Sequence, residues 1–139
     1  MNFAEYAASL LQYLWRVHWP AGNTLRLNLS LASLILPIDS AVPFGLILNE
    51  LATNAIKHAF PDGREGEVSV ILEHDSATGA VCLRVCDTGI GLPTNFDCRQ
   101  STTLGLRLVQ ILAEQMHAEV QTGSGPGSEF QIRFFAKQN

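Results

Sequence analysis

The sequence predicts an α+β sandwich of two layers, a mixed, mostly antiparallel sheet with about three helices on one face. Three observations carry the prediction. Apolar residues recur at helical spacing in three separated segments, and they alternate with polar residues in several others. These segments follow one another as helix, strand, helix, two strands, helix, two strands. A chain of 139 residues can bury one core, and residues 1–139 are expected to form a single domain. The composition, 47% hydrophobic and 16% charged, is that of a globular protein, and a net charge of −4 argues against a nucleic-acid backbone as partner.

The opening segment places Phe3, Tyr6, Ala7, Leu10, Leu14 and Val17 at steps of three and four, with Asn2 and Glu5 spaced as a capping box at its start. It has an early Glu5 and no basic region, so it reads as a helix of the fold and not as a secretion signal. No stretch is apolar for long enough to span a bilayer, and no membrane contact is expected. Trp19 to Asn23 breaks the helix. Leu25, Leu27, Leu29 and Leu31 then alternate with Arg26, Asn28 and Ser30 as a half-buried strand. Leu36 to Asp39 reads as a short extended piece before a second helix over Val42 to Ala59, with Pro43 in its first turn. A loop with Pro61, Asp62, Gly63 and Gly66 leads to strands Val68–His74 and Ala80–Asp87, joined by Asp75 to Gly79. A third helix runs from Leu104 to His117. Strands Glu119–Thr122 and Glu129–Phe135 close the chain around the turn Gly123 to Gly127. Cys82, Cys86 and Cys98 match no metal-ligand spacing, and the first two read as small core residues. Such cysteines fit a reducing, cytoplasmic setting.

Chemistry concentrates on the second helix. Phe44, Leu48, Leu51 and Ala55 form the face turned to the sheet, while Glu50, Asn54 and Lys57 share another, with His58 beside them. A solvated surface explains that stripe as well as a site does. As a site, Asn54 offers an amide oxygen to Mg²⁺, Lys57 a point charge to phosphate, and Glu50 a proton acceptor near a terminal phosphate. Asp87-Thr88-Gly89-Ile90-Gly91 ends a strand with an acid and two glycines, either a plain turn or a place where backbone approaches a flat ligand and a carboxylate reads an adenine amino group. Leu92 to Thr103 is a polar loop with Arg99. The helix after it opens on Leu104, Gly105 and Leu106, with Ser101, Thr102 and Thr103 as available caps, and its first amides suit an anion. Gly125-Pro126-Gly127-Ser128 serves equally as a tight turn.

In this order the motifs resemble the ATPase superfamily of gyrase, the ninety-kilodalton heat-shock chaperone, histidine kinases and mismatch-repair proteins. Asn49 to His58 resembles its N box and Asp87 to Gly91 its first glycine box. Leu104-Gly105-Leu106 and Gly125 to Ser128 resemble the second and third. The wording from Pro43 to Phe60 is most similar to short-lid histidine kinases, and the likeness covers nearly the whole chain. It implies the Bergerat-type fold, ATP and Mg²⁺ as ligands, and transfer of the γ-phosphoryl group to a histidine on a separate helical dimerisation domain, in cis or in trans, with a response regulator downstream. Asn54 would hold Mg²⁺, and Lys57 and His58 would lie along the phosphates. Asp87 would read adenine, with room given by Gly89 and Gly91. Leu104, Gly105 and Leu106 would sit near the phosphates, and the Ser128 hydroxyl would support Asp87. Glu50 stands where gyrase-type members carry a water-activating Glu and many histidine kinases an Asn. It would help deprotonate the acceptor or hold the metal shell.

Two features depart from the family's pattern. Thr103 replaces the first Gly of the second glycine box, and Leu92 to Thr103 lacks the Phe motif of longer lids, with Phe96 not assigned that role. Of the histidines, His58 belongs to the N box, His74 ends a strand, and His18 and His117 stand near helix ends as surface or cap residues. The acceptor helices and any sensor are therefore expected outside these residues. Two other readings remain: a docking module for a response regulator that has lost turnover, and a serine kinase of the anti-sigma type.

Overall fold

The computed structural model describes residues 1–18, 25–58, 66–89, 104–124 and 127–136. Its elements come in the expected order: α1 (Phe3–His18), β1 (Leu25–Leu31), α2 (Ile38–His58), β2 (Gly66–Asp75), β3 (Ala80–Asp87), α3 (Leu104–Met116), β4 (Glu119–Ser124) and β5 (Ser128–Phe135). The strands form one sheet in the order β1-β2-β3-β5-β4. β1 pairs parallel to β2 and every other neighbour is antiparallel, so the sheet is mixed and mostly antiparallel. A parallel pair needs a crossover, and α2 supplies it between β1 and β2.

Alternation decides which face is covered. Val68, Val70 and Leu72 of β2, Val81, Leu83 and Val85 of β3, and Phe130, Ile132 and Phe134 of β5 are buried in one core with the inner faces of the helices. The register sets Val85 opposite Phe130 and Leu83 opposite Ile132, so these rows are continuous across strands. Above them Phe44 of α2 stacks on Phe3 of α1 at 4.6 Å and meets Phe134 of β5 edge-on at 4.9 Å, tying three elements together. The opposite face of the sheet is polar. Arg26–Glu67 at 2.9 Å and Arg84–Glu73 at 2.8 Å pair across neighbouring strands there, each worth about 0–1 kcal/mol at such exposure.

Three expectations are corrected. On α1 the buried residues are Phe3, Ala7, Leu11 and Leu14, whereas Tyr6 and Val17 are exposed. The seam runs in steps of four, four and three, and the helix turns Leu11 inward where Leu10 was expected. The cap itself is present, with the Glu5 N–H donating to Asn2 Oδ1 at 3.2 Å. α2 begins at Ile38 and not at Val42, because the Pro37 carbonyl accepts the N–H groups of Ser40 and Ala41 and starts the helix one turn sooner. Pro43 then lies inside the helix. Finally, Cys82 and Cys86 are half-exposed on the polar face of β3 with Arg84 between them, since the inward places of that strand belong to Val81, Leu83 and Val85.

α3 stops at a Schellman cap. The His117 N–H donates to Glu114 O and the Ala118 N–H to Ala113 O, with His117 at φ 56° where glycine is more usual. This is the cap role expected of that histidine. No helix among the described residues is long and apolar enough to cross a membrane.

Candidate functional site

The inward row of β3 reads Val81, Leu83, Val85 and then Asp87, so alternation that buries three apolar side chains also buries a carboxylate. At 7% exposure, Asp87 is the one buried charged side chain among the described residues. A buried charge needs partners, and local chain geometry supplies them. Asp87 Oδ1 accepts the Gly89 N–H at 2.9 Å, an Asx turn, and the Ser128 N–H at 3.3 Å. The Ser128 hydroxyl donates to Oδ2. Ser128 reaches it because β5 pairs with β3 through Cys86 and Glu129, and the next step of that register sets Ser128 beside Asp87. Thr88 is fixed in turn to β2, its N–H donating to Glu67 O at 3.1 Å and its Oγ1 accepting the Glu67 N–H at 2.9 Å.

Gly127 completes this corner. A Cβ built on it would fall on the Asp87 carbonyl, with the carbonyl carbon at 2.6 Å and Oδ1 at 2.8 Å. Those atoms are backbone and a locked carboxylate, so only glycine lets the chain pass so close. Three protein donors fill three of the roughly four acceptor sites of a carboxylate. Among the described residues, one acceptor direction on Oδ2 is left over. The sequence argument reached Ser128 through the resemblance, and Gly127 as part of a turn and of the third glycine box, without a role of its own.

A second cluster stands on α2, which packs on β2 and β3 and against α3. Glu50 and Asn54, half-buried, face the first turn of α3 at Gly105. A Cβ built there would lie 2.6 Å from Glu50 Oε2 and 4.0 Å from Asn54 Nδ2. Lys57 is exposed on the last turn of α2, and His58 ends the helix. Leu104 is 82% exposed, while the Leu106 side chain belongs to the core, so only its backbone is available to a ligand. Gly91, Arg99, Cys98, the Ser101 to Thr103 caps, and Gly125 and Pro126 lie outside the described residues. No group of three or more His, Cys, Asp or Glu side chains among the described residues could hold a metal by itself. A groove of about 470 Å³ lies elsewhere, at the Ala80 end of β3 among Glu73, Cys82, Arg133 and Phe135, and includes none of these residues.

Three comparisons bear on this geometry. The sequence profile of the family described as "Histidine kinase-, DNA gyrase B-, and HSP90-like ATPase" matches residues 40–138. Blue-light-activated histidine kinase 2 of Erythrobacter litoralis is 30% identical over 118 residues, which cover 83% of this chain and 33% of that protein. Sensor histidine kinase PdtaS of Mycobacterium tuberculosis is 37% identical over 79 residues, 56% of this chain and 15% of its own. The chain thus spans about a third or less of these relatives. Among solved structures, the Erythrobacter litoralis EL346 blue-light activated histidine kinase superposes with a TM-score of 0.89 at 24% identity, over 98% of this chain and 42% of that one. The ATP binding domain of PrrB from Mycobacterium tuberculosis gives 0.74 at 19% identity, over 99% and 96%. At such identities the structural likeness is one of fold.

Proposed function

The chain belongs to the histidine kinase-, DNA gyrase B- and HSP90-like ATPase family, and from that premise we propose that it binds Mg²⁺-ATP as the catalytic domain of a sensor histidine kinase. The observation that carries the reading is Asp87, a buried carboxylate that, among the described residues, is held by three protein donors with one acceptor direction left. That direction suits the amino group of adenine, and the close pass of Gly127 holds the carboxylate in place. The phosphates then run toward α2 and the start of α3, where helix amides and Lys57 offset their charge. Asn54 would offer its amide oxygen to Mg²⁺, with phosphates and waters as the other ligands. The ion would supply charge neutralisation beside the phosphates, leaving the Glu50 carboxylate free to accept a proton.

The acceptor is a histidine on a separate helical domain, and a response regulator acts downstream. A ring nitrogen forms the new N–P bond while the bond from the γ-phosphorus to its bridging oxygen breaks. ADP leaves, and the proton shed by the imidazole passes to the Glu50 carboxylate. Both curated relatives are named as histidine kinases, which favours this acceptor over a serine. The free thiols of Cys82 and Cys86 accord with a cytoplasmic location.

Calorimetric titration of ATP with and without Mg²⁺ tests the reading on the wild type, Asp87→Asn and Asn54→Ala. Asp87→Asn removes a hydrogen bond to charge worth about 1.5–3 kcal/mol, so affinity should fall about tenfold to a hundredfold. Asn54→Ala should bind ATP with its Mg²⁺ dependence lost. A folded wild type that binds no ATP would overturn the nucleotide reading and leave a docking module in its place.

A further inference from the structure

We propose that Gly105 is a positioning residue that acts through Glu50, and that its missing side chain is the space the Glu50 carboxylate occupies. The inference rests on the role proposed for Glu50. Gly105 is the second residue of α3, where alanine is the better helix former by about 0.5–1 kcal/mol. Backbone conformation does not demand glycine there, because among the described glycines only Gly79 has a positive φ. What remains is space. The nearest atoms to a Cβ at Gly105 all belong to side chains of α2: Glu50 Oε2 at 2.6 Å, Glu50 Cδ at 3.6 Å and Asn54 Nδ2 at 4.0 Å.

The kind of neighbour decides what a methyl group would do. At Gly127 it would strike backbone, and the fold itself would have to give. At Gly105 it would meet the far end of a flexible side chain. α3 is anchored by Leu106, Val109, Leu112 and Ala113 in the core, so the helix cannot easily retreat. The carboxylate moves instead. Gly105→Ala should therefore leave a folded domain that keeps its backbone amides toward the phosphates but has a misplaced proton acceptor, so that turnover suffers far more than ATP affinity. Misplacement by about an ångström is enough to slow a reaction about a hundredfold.

The test is a cycle of wild type, Gly105→Ala, Glu50→Ala and the double variant, measured three ways. The first is the ¹³C resonance of the Glu50 carboxyl in the nucleotide-free wild type and Gly105→Ala proteins. The second is the Kd for Mg²⁺-ATP, and the third is transfer of labelled γ-phosphate from Mg²⁺-ATP to water, whose proton the Glu50 carboxylate would accept as it would that of the imidazole. Gly105→Ala should shift the Glu50 resonance and slow this transfer at least about tenfold more than it weakens the Kd. In the Glu50→Ala background the same substitution should add nothing. An unmoved resonance overturns the inference, as does a Kd that worsens as much as turnover, or an equal further loss in the Glu50→Ala background. Each would mean that Gly105 does not act through Glu50. Full turnover by Glu50→Ala would refute the role of Glu50 and this inference with it, leaving ATP binding through Asp87 intact. Failure of the wild type to bind ATP would be read separately, from its own titration.

Discussion

Asp87 sits where three apolar residues of the same strand set the pattern, and an unpaired charge there would cost several kcal/mol. Two backbone amides and one hydroxyl offset that cost. A polar residue continuing an inward apolar row was legible in the sequence as an anomaly, but local pattern gave none of its partners, since Ser128 is 41 residues away and only the family resemblance named it. The cysteines show the reverse error. Both were read as core residues because small thiols are often buried, although Arg84 between them marked their row as the outward one. Half-burial still affects their chemistry. It pushes the Cys86 thiol up to about 11, with Glu129 adding to the effect, and it raises Cys82 as well, aided by Glu73. The thiolate is the nucleophile, and a raised value means less of it at any pH below the new midpoint. Cys86 should accordingly react with iodoacetamide about a hundredfold more slowly than an unfolded thiol at pH 8, the rate climbing only as pH approaches about 11. Rapid labelling of Cys86 itself in the native protein at pH 8, located by peptide mapping, would contradict that shift.

Among the elements, α2 was the most legible and the least well bounded. Its core face and polar stripe follow directly from spacing, yet its first turn was missed. Ile38 and Val42 are both exposed, so that turn shows little apolar periodicity, and Pro43 invited a later start. The aromatic stack was not legible at all. Phe3, Phe44 and Phe134 come from three distant segments, and nothing local announces their meeting. Phe44→Ala should cost about 3–5 kcal/mol by cavity formation, while Phe44→Leu, which keeps most of the volume, should cost less. Urea unfolding monitored by circular dichroism measures both. Equal and small losses would mean that the ring contacts contribute little beyond filling space.

In the whole molecule, the two halves of the candidate site lie in different layers, the Asp87 corner in the sheet and the Glu50 stripe on the helices. A ligand spanning both would fasten one layer to the other. Binding restricted to the native state raises stability by about 2.7 kcal/mol when the ligand is at a hundred times its Kd. Mg²⁺-ATP at that excess should therefore raise the Tm by several degrees and slow amide exchange in α2, α3 and the end of β3 together. Protection confined to one layer would argue that the ligand touches only that layer. Fold class and element order were legible because period-two and period-3.6 patterns are local. The approach of α3 to Glu50 was not, because it depends on how closed layers stack. The β3–β5 junction also dictates an order of events in time. β2 and β3 pair through a short hairpin, whereas β5 reaches β3 only after α3 and β4 have been laid down between them. Contacts between distant segments close late, so during refolding Asp87 waits as a lone acid at the end of a hairpin until Ser128 arrives. Competence to bind nucleotide should then return in the slowest refolding phase, after most helical signal has recovered, and no partly folded chain would engage ATP.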